Sequence, residues 1–534
     1  MNATSFTDRE ALWQDLMSGS AGEWDIIVVG GGITGSGILR EAVRSGYKTL
    51  LVEQGDFAWG SSSRSSKMVH GGLRYLAAGK FSLTRHALQE RESLINQAPH
   101  LVERLGYYFP LYRNRFPPRF AAGLLFWLYD RLAGIRDHRR VDNSQLQKVF
   151  SQLDTSGLNG AYYYTDAITD DARLALRVLQ ESVRAGGFLR NYTKATGLIE
   201  GKGRVHGITV EDVETGRKLS LQARVVINAT GAWAERLGKA SKMGLKIRPQ
   251  RGSHLLLSAE KFSVSHAVFL LHPSDGRRLF IYPWEGRTVI GTTDIYHPRD
   301  LDTAASITSE ELDYLLAAAR QLFPQRPPGR EDVISSWSGV RPIITSGRSG
   351  NPSKASREHK VWTQEGLVSC SGGKLTTFHH MALDVLSKAE KYLPPAEKSL
   401  DERIFTCPSQ SGKDIMPDDP DRGDRLLGRY GADASLLLNS APNAEHQAIP
   451  GTMTCLAQVR WALKHESVVH LDDLMLRRTR LGLLLENGGD AILDDIRRLF
   501  INVLDWSGEQ WQSELVRYRE IILRHYTIPD KAQA

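Results

Sequence analysis

Residues 25–35 read DIIVVGGGITG, and residues 48–53 read KTLLVE. The first stretch opens with an apolar, β-branched run that is typical of a buried parallel strand. It passes directly into a GxGxxG motif at residues 30–35, and a helical pattern and a second apolar strand follow before Glu53. Because strand, glycine turn, helix, second strand and terminal acid occur in this order, the sequence predicts a dinucleotide site, which the motif alone would support only weakly.

Each glycine of the motif has a separate task. Gly30 permits the tight turn, Gly32 lets a pyrophosphate approach backbone amides, and Gly35 lets the helix pack closely on the strand. The N-terminus of the helix directs its dipole at the phosphates. Glu53 stands at the spacing at which an acid accepts hydrogen bonds from ribose hydroxyls. This unit is therefore predicted to bind the adenosine and pyrophosphate end of a dinucleotide.

The chain has 534 residues, of which 41% are hydrophobic and 24% charged. These values predict a globular protein with two or three domains and a large core. Cys370, Cys407 and Cys455 form no CxxC pair, so neither a disulfide framework nor a metal site is predicted. The formal net charge of +7 fits anionic substrates or an anionic membrane surface, and we expect no nucleic-acid partner. Residues 1–20 lack an apolar core and a basic leader, which favours a cytoplasmic protein.

A segment rich in hydroxyls, glycines and cations follows the dinucleotide unit. Residues 60–75 read GSSSRSSKMVHGGLRY, and such a segment can lie along a pyrophosphate and then pass beside a redox ring. The alternative is a solvated serine-rich loop. The abrupt change to HGGLRY at residues 70–75, whose order no hydrophobic period explains, favours the cofactor.

Seven motifs, taken together and in order, carry a family resemblance. They are GGGITG, SSKMVHGGLRYL, TDDARLAL, INATGAWA, YPWEGRTVIGTTD, SGVRPI and SGGKLTTF. The chain resembles the FAD-dependent glycerol-3-phosphate dehydrogenases and oxidases, which belong to the D-amino-acid-oxidase-like flavoproteins, over nearly its whole length. HGGLRYL combined with SGVRP and GGKLTT is specific to this branch, whereas GxGxxG and NATG indicate only the wider group. The resemblance implies that the cofactor is FAD.

The resemblance and the residue patterns together predict the architecture. We expect an α/β fold in which a discontinuous, Rossmann-like FAD-binding domain, residues 22–245 and 330–400, contains an inserted antiparallel-sheet substrate domain, residues 246–329. A C-terminal α-helical domain, residues 401–534, completes the chain.

Local patterns predict several elements of these domains. Residues 254–258, 278–283 and 288–293 read as antiparallel strands, with a hairpin loop at residues 285–287 between the last two. Helical periods predict C-terminal helices at residues 424–430, 454–465, 471–485 and 491–518.

The resemblance implies that FAD contacts come from distant parts of the chain. Glycines and small polar residues dominate these segments, which suits close approach of a cofactor to the backbone. The predicted FAD-binding residues are Gly30, Gly32, Gly35, Glu53, Ser62, Ser66, Gly71, Gly72, Thr230, Gly231, Gly373, Lys374, Leu375 and Thr376.

Oxidation of a secondary alcohol beside a phosphate sets the remaining requirements. The phosphate needs fixed cations, and the planar fork of arginine suits two of its oxygens. The hydroxyl proton must pass to a base or to water. The predicted substrate-binding residues are Arg74, Tyr75, His254 and Arg341. The predicted catalytic residues are His70, Arg341 and Lys374, and both His70 and His254 remain candidates for the base.

The predicted reaction is oxidation of sn-glycerol 3-phosphate to dihydroxyacetone phosphate. Hydride passes to flavin N5, and the resemblance implies that the electrons go on to a membrane quinone. Three alternatives stay open: an oxidase that uses oxygen, a flavoprotein oxidoreductase for another small hydroxy acid or an amine, and a non-catalytic paralogue that keeps FAD as a structural or sensory ligand. Intact His70, Arg74, Arg341 and Lys374 argue against the last.

An aromatic stretch flanked by cations predicts contact with a membrane surface. Residues 120–129 read FAAGLLFWLY between arginines on both sides, and they are too few to span a bilayer, which needs about 20 apolar residues. The pattern suits an interfacial helix among anionic headgroups, and the resemblance implies peripheral attachment at the inner face of the cell membrane. The alternative is a buried amphipathic helix under the substrate site.

Two departures from the family pattern and one basic cluster are not explained by the predicted site. Arg64 stands where a small residue is expected and predicts an extra cation near the pyrophosphate, and Ser371 precedes GGK where related dehydrogenases often carry a bulkier residue. The sequence RRTR at residues 477–480 reads by default as a solvated helix face. The alternatives are a phosphate-facing patch and a contact within a homodimer.

Overall fold

The structure is a computed structural model that describes residues 4–6, 8–113, 115, 117–237, 246–297, 300–345, 358–396 and 403–529. The strands are β1 (Trp24–Val29), β2 (Thr49–Val52), β3 (Met68–Val69), β4 (Val102–Tyr112), β5 (Arg139–Val141), β6 (Leu158–Thr169), β7 (Phe188–Arg190), β8 (Thr193–Gly201), β9 (Arg204–Asp212), β10 (Lys218–Asn228), β11 (Ile247–Ser258), β12 (Ala267–Leu271), β13 (Arg278–Trp284), β14 (Arg287–Gly291), β15 (Ile295–Tyr296), β16 (Val333–Ile344), β17 (Lys360–Gln364) and β18 (Leu367–Ser371). The α-helices are α1 (Arg9–Ser18), α2 (Ile33–Arg44), α3 (Leu73–Ala77), α4 (Phe81–Gln97), α5 (Arg119–Ala133), α6 (Asn143–Val149), α7 (Asp171–Arg184), α8 (Ser309–Leu322), α9 (Phe378–Ala389), α10 (Gly412–Ile415), α11 (Pro420–Tyr430), α12 (Ala434–Asn439), α13 (Leu456–His465), α14 (Leu471–Asp473), α15 (Leu481–Leu484), α16 (Leu493–Leu504) and α17 (Gly508–His525).

The first sheet holds the dinucleotide unit that the sequence predicts. Its eight described strands run in the order β17-β18-β10-β1-β2-β7, with β9 paired to β10 and β8 paired to β9. β1 lies parallel to both β2 and β10, so that Val28 sits beside Leu51 and Ile227. These side chains are fully buried in a core shared with α2, α7 and α9, which explains the uninterrupted apolar runs of the strands. The Rossmann-like prediction is confirmed.

The second sheet is larger and mostly antiparallel. Its strands, ten in the part of the chain that the structure describes, run in the order β15-β11-β14-β13-β12-β4-β6-β3, with β16 on β11 and β5 on β6. β13 and β14 form the predicted hairpin, and Glu285 and Gly286 in its two-residue loop have φ values of +50° and +70°, the pattern of a type I′ turn. The antiparallel strands predicted here are confirmed.

This sheet extends beyond the bounds that the sequence predicts for a substrate domain. β3, β4, β5 and β6 lie within the range 22–245 and β16 lies within 330–400, and both ranges are assigned by prediction to the FAD-binding domain. An alternating pattern identifies a strand but not the sheet that it joins, because its pairing partners are distant in sequence. The domain bounds themselves stay a prediction.

The C-terminal region is helical, as predicted, but it is divided differently. The prediction of a single helix over residues 491–518 is wrong, because α16 ends at Leu504 and Asp505 has a φ of +54°. Ser507 then caps α17 by accepting a hydrogen bond from Gln510 N at 3.0 Å. A left-handed residue followed by a new N-cap breaks the helix although the apolar period continues across the break.

The basic cluster at residues 477–480 does not face solvent. Its three arginines are buried and bond to carboxylates of other segments, namely Asp56, Asp170 and Asp171. The prediction of a solvated helix face is therefore wrong. Arg477 also pairs with the nearby Asp472 and Asp473, but Asp56, Asp170 and Asp171 lie 309 or more positions away in sequence, so the local pattern gave no sign of them.

Candidate active site

A cavity of about 740 Å³ lies between the two sheets. The carboxyl ends of β1, β10 and β18 line it on one side, and residues 339–343 of β16 line it on the other. Residues 59–62, 64–66 and 371–376 form further parts of the wall. Ligands of open α/β sheets bind outside the carboxyl ends of the strands, and the volume is in the range of cofactor pockets.

The glycines of the first motif bring α2 close to the cavity. Gly30 has a φ of +115°, in the region that favours glycine. A Cβ at Gly35 would lie 1.8 Å from the carbonyl oxygen of Gly30, so only glycine lets α2 pack against the end of β1 in this way. Gly32 and Ile33 line the cavity at the start of α2. This helix end presents the N–H groups and the dipole that bind phosphate elsewhere.

Two side chains from later segments bond to this turn. Ser62 Oγ accepts a hydrogen bond from Ile33 N at 2.9 Å, and Glu53 Oε2 accepts one from Gly31 N at 2.6 Å. Glu53 Oε1 accepts another from Gly55 N at 2.9 Å, and burial raises the pKa of this carboxyl. Each carboxylate oxygen has a second lone pair, which leaves room for the predicted bond to a ribose hydroxyl.

Most of the predicted site residues line this one cavity, although they come from distant segments. Those at its wall are Gly30, Gly32, Glu53, Ser62, Ser66, His70, Tyr75, Thr230, Gly231, Arg341, Gly373, Lys374, Leu375 and Thr376. Gly35, Gly71, Gly72 and His254 are buried behind the wall. The side chain of Arg74 lies outside the described residues, so its role stays a prediction.

The turn after β18 and the HGGLRY segment meet at the cavity. Lys374 Nζ lies 3.7 Å from the centre of the Tyr75 ring, and His70 N donates a hydrogen bond to Thr376 Oγ1 at 3.2 Å. Gly72 has a φ of +84°, and a Cβ there would lie 2.9 Å from Lys374 Nζ. His70, Tyr75 and Lys374 are therefore brought together, as the resemblance implies.

Arg341 presents its guanidinium at the cavity from β16. Its Nη1 lies 3.5 Å from Asp294 Oδ1, and its Nη2 donates to Thr292 Oγ1 at 3.3 Å. A Cβ at Gly252 would lie 2.5 Å from both terminal nitrogens, so glycine at that position leaves the guanidinium its space. Sequence reasoning missed Thr292 and Asp294 as the residues that hold Arg341, although both stand in the quoted stretch GTTD.

His254 lies behind the wall rather than on it. Its Nε2 is 2.8 Å from Ser66 Oγ, and its ring stacks on Trp337 with 4.8 Å between the centres. Burial, and after it the charges of Arg341 and Lys67, hold the pKa of His254 well below its usual range. The ring is thus neutral near pH 7, and it reaches the cavity through the hydroxyl of Ser66.

Asp166 is a buried acid that sequence reasoning missed. Its Oδ1 accepts hydrogen bonds from Gly71 N at 3.2 Å, Tyr129 OH at 2.8 Å and Arg91 Nη1 at 2.6 Å. It therefore fixes the backbone of HGGLRY from behind. The available signal was an acid inside the apolar run at residues 161–169, since a buried charge must be paired.

Trp59, Trp233 and Arg236 of the wall also escaped the prediction, whereas Arg64 was expected. The rings of Trp59 and Trp233 lie with their centres 5.8 Å apart, and Arg236 pairs with Asp300 at 2.7 Å. Arg64, the expected extra cation, is buried at the wall with its guanidinium 5.2 Å from the centre of the Trp59 ring. A single residue outside a motif shows no sequence pattern from which to tell whether it lines a cavity, lies in the core or faces solvent.

Two family models cover most of the chain. The model of the FAD dependent oxidoreductases matches residues 25–382. The model of the C-terminal domain of alpha-glycerophosphate oxidase matches residues 403–511. The two matches follow the order of the Rossmann-like unit and the C-terminal helices in the structure.

Individual relatives agree with these models. Aerobic glycerol-3-phosphate dehydrogenases of Staphylococcus haemolyticus and Staphylococcus aureus are each 31% identical to this chain, over 93% and 91% of its length and 94% and 92% of theirs. The structure of glycerol-3-phosphate dehydrogenase from Bacillus halodurans, complexed with FAD, superposes with a TM-score of 0.75 at 27% identity and covers 96% of this chain and 97% of the other. The chain therefore belongs to the FAD dependent oxidoreductase family, together with the aerobic glycerol-3-phosphate dehydrogenases.

Proposed function

We propose that the protein is an FAD-dependent dehydrogenase that oxidises sn-glycerol 3-phosphate to dihydroxyacetone phosphate and passes the electrons to a membrane quinone. The observation that carries the proposal is the shared cavity, in which the glycine turn and the start of α2 meet Arg341, Lys374 and His70. Oxidation of a phosphorylated alcohol beside a flavin needs both parts within reach of each other. The names of the relatives supply the substrate.

The cavity residues fit FAD. The close approach of α2 to β1 at Gly35 supports binding of a pyrophosphate at the helix N-terminus, and Glu53, which lines the same cavity, is assigned to a ribose. When bound, FAD accepts a hydride at N5 of its ring. Lys374 also lines the cavity, and its positive charge would stabilise negative charge on a reduced ring.

The side chains of the chain itself handle the phosphate and the proton. Arg341 is assigned to the phosphate, because its fork faces the cavity while Asp294 and Thr292 hold it from the side. As the hydride leaves the substrate carbon, the hydroxyl proton passes to His70, and the carbon–oxygen bond becomes the ketone of dihydroxyacetone phosphate. His254 lies behind the wall and bonds to Ser66, whereas His70 lines the cavity, so His254 is assigned a supporting role through Ser66.

Anaerobic addition of glycerol 3-phosphate to the FAD-loaded protein is expected to bleach the flavin absorbance at stoichiometric substrate. Glycerol, which lacks the phosphate, and a panel of 2-hydroxy acids and amino acids are the controls and are expected to leave the spectrum unchanged. Bleaching by a control compound but not by glycerol 3-phosphate contradicts the substrate assignment. A spectrum that no compound changes, with FAD bound, supports the non-catalytic paralogue instead.

The same reduced sample identifies the electron acceptor. Mixing it with a short-chain quinone is expected to restore the flavin absorbance faster than mixing it with dissolved oxygen, and little peroxide is expected. Rapid reoxidation by oxygen with one peroxide released for each substrate consumed would assign an oxidase. Quinone is the acceptor that suits an enzyme held at a membrane surface.

Helix α5 supports attachment to such a surface. Phe120, Leu124 and Trp127 stand at helical spacing and are 87%, 65% and 53% exposed, whereas Phe126 and Tyr129 are buried. The helix is thus neither wholly buried nor evenly polar, and exposed arginines lie before and after it. Apolar anchors flanked by cations suit the headgroup region of an anionic membrane. Among the described residues, no helix combines the length and the hydropathy needed to cross a bilayer.

The double substitution Leu124→Glu and Trp127→Glu is expected to lower partition onto anionic vesicles by about 10²-fold or more, since each anchor loses about 1.5–3 kcal/mol of apolar burial. Flotation with vesicles measures the bound fraction. Met17→Glu on α1 is the matched control, because Met17 is 56% exposed on another element. Phe126 is unsuitable for this test because it is buried. Unchanged flotation of the double variant, or equal loss in the control, contradicts attachment through α5.

A further inference from the structure

The cavity wall between Ser62 and Ser66 is held from behind by buried charges. Asp171 Oδ2 accepts hydrogen bonds from Ser65 N at 2.9 Å and from Ser65 Oγ at 2.7 Å. Asp171 Oδ1 pairs with Lys67 Nζ at 2.9 Å. Ser62, Ser65 and Ser66 line the cavity, so the first residue of α7 determines the path of this part of the wall.

Arg480 reaches the same wall from the C-terminal region. Its Nη1 donates to the carbonyl oxygen of Ser63 at 3.2 Å, its Nη2 bonds to Asp171 Oδ1, and its Nε donates to Asp170 Oδ1 at 2.9 Å. All these groups are buried. A buried carbonyl and two buried carboxylates are therefore bridged by a single planar fork, which a lysine cannot reproduce.

Lys67 completes the arrangement. Its Nζ donates to the same Ser63 carbonyl at 3.2 Å and lies 4.7 Å from the centres of the Trp284 and Trp337 rings. The ammonium is fully buried, and Lys67 is not among the residues that line the cavity. Removing one member of this buried set leaves the charges of the others uncompensated. The carbonyl that Lys67 and Arg480 hold belongs to Ser63, whose neighbours Ser62 and Arg64 line the cavity.

We propose that Arg480 is a positioning residue of the cofactor site: it fixes the backbone at Ser63 and the carboxylate of Asp171, so that the C-terminal region sets the shape of the wall formed by Ser62, Ser65 and Ser66. This assigns a role to a basic cluster that the reaction itself does not use. The inference rests on the proposal that the cavity binds FAD.

Arg173 provides a matched control. It is buried, it also joins the N-terminal half to the C-terminal region, and it pairs with Glu466 at 2.8 Å. Within the part of the chain that the structure describes, it makes no hydrogen bond to Ser62, Ser65 or Ser66, and its partner Glu466 does not line the cavity. A purely structural role for buried arginines predicts the same behaviour for both positions, whereas positioning predicts a difference in FAD affinity.

The experiment compares Arg480→Met, Arg480→Lys and Arg173→Met in the full chain by titrating apoprotein with FAD and recording the flavin spectrum and the melting temperature. Arg480→Met is expected to weaken FAD binding by about tenfold or more, as loss of an orienting partner does elsewhere, and to shift the flavin absorption band. Arg480→Lys is expected to recover only part of the affinity. Arg173→Met is expected to lower the melting temperature without changing the FAD dissociation constant.

Equal loss of FAD affinity at both arginines, or none at Arg480, overturns the proposal. Where Arg480→Met yields no folded protein, Lys67→Met takes its place, because a methionine keeps an apolar contact with the two tryptophan rings while the bonds to the Ser63 carbonyl and to Asp171 are lost. An unchanged FAD dissociation constant in folded Lys67→Met overturns the proposal in the same way. Failure of the unsubstituted protein to oxidise glycerol 3-phosphate while binding FAD normally contradicts the proposed function and leaves this inference standing.

Discussion

Replacement of Arg341 by alanine is expected to lower kcat/KM for glycerol 3-phosphate by about 10²- to 10⁴-fold, because two hydrogen bonds to a charged phosphate contribute about 1.5–3 kcal/mol each. Most of the loss is expected in KM, since a phosphate remote from the reacting carbon is bound in both the ground state and the transition state. FAD content is expected to stay unchanged. Steady-state kinetics with an artificial electron acceptor measure both parameters.

Two further measurements make the Arg341 prediction specific. Arg341→Lys keeps the charge but loses the fork, so it is expected to recover only part of kcat/KM. Turnover of glycerol, which has no phosphate, is expected to be equally slow in the unsubstituted protein and in Arg341→Ala. Arg236→Ala is the matched control, because Arg236 lines the same cavity but is held by Asp300. A KM for glycerol 3-phosphate that Arg341→Ala leaves unchanged assigns the phosphate to another residue.

Gly35→Ala is expected to abolish the FAD-loaded protein. The added Cβ would lie 1.8 Å from the carbonyl oxygen and 3.0 Å from the carbonyl carbon of Gly30. Both are backbone atoms, so relief requires α2 to move away from β1, and Gly32 and Ile33 then leave their places at the cavity. The ratio of flavin to protein absorbance after purification measures the result, and circular dichroism reports whether the apoprotein is folded.

Gly508→Ala is the control for the Gly35 prediction. Gly508 opens α17, and a Cβ there meets no heavy atom of the described chain within 4 Å. Alanine at that position is expected to leave FAD content intact and to stabilise the fold slightly by restricting the unfolded chain. Normal flavin content in Gly35→Ala would contradict the prediction. It would show that α2 can move without loss of FAD, so that the close contact of α2 with β1 is not required for the phosphate site.

The sequence predicted those parts of the fold that are determined by residues close together in the chain. The unit β1–α2–β2 was found because glycine turn, apolar strands and Glu53 stand within 30 residues of one another, and the β13–β14 hairpin was found from Glu285 and Gly286. Most of the predicted site residues also line one cavity, because they belong to the motifs that the chain shares with the family it resembles. These features depend on local geometry that residue type controls.

Features with long-range causes were missed. The membership of β4 in the second sheet depends on its pairing with the distant β12, where Tyr107 lies beside Ala267, and β6 joins the sheet through β4. The burial of the arginines at 477–480 depends on acids from the N-terminal half. The position of His254 behind Ser66 depends on the pairing of β11 with β16, which stacks the His254 ring on the Trp337 ring. A one-dimensional pattern reports residue type and period, but it contains no distances between segments.

The bond from Arg480 to Ser63 spans 417 positions of the chain. During synthesis the serine-rich wall leaves the ribosome long before the arginine that braces it, and segments made first begin to fold first. Contacts between residues that are far apart in sequence also form more slowly than local contacts. With Arg480 as a positioning residue, we expect the site to reach its final form for FAD only after residue 480 has been synthesised, well after the nucleotide-binding residues of the same site.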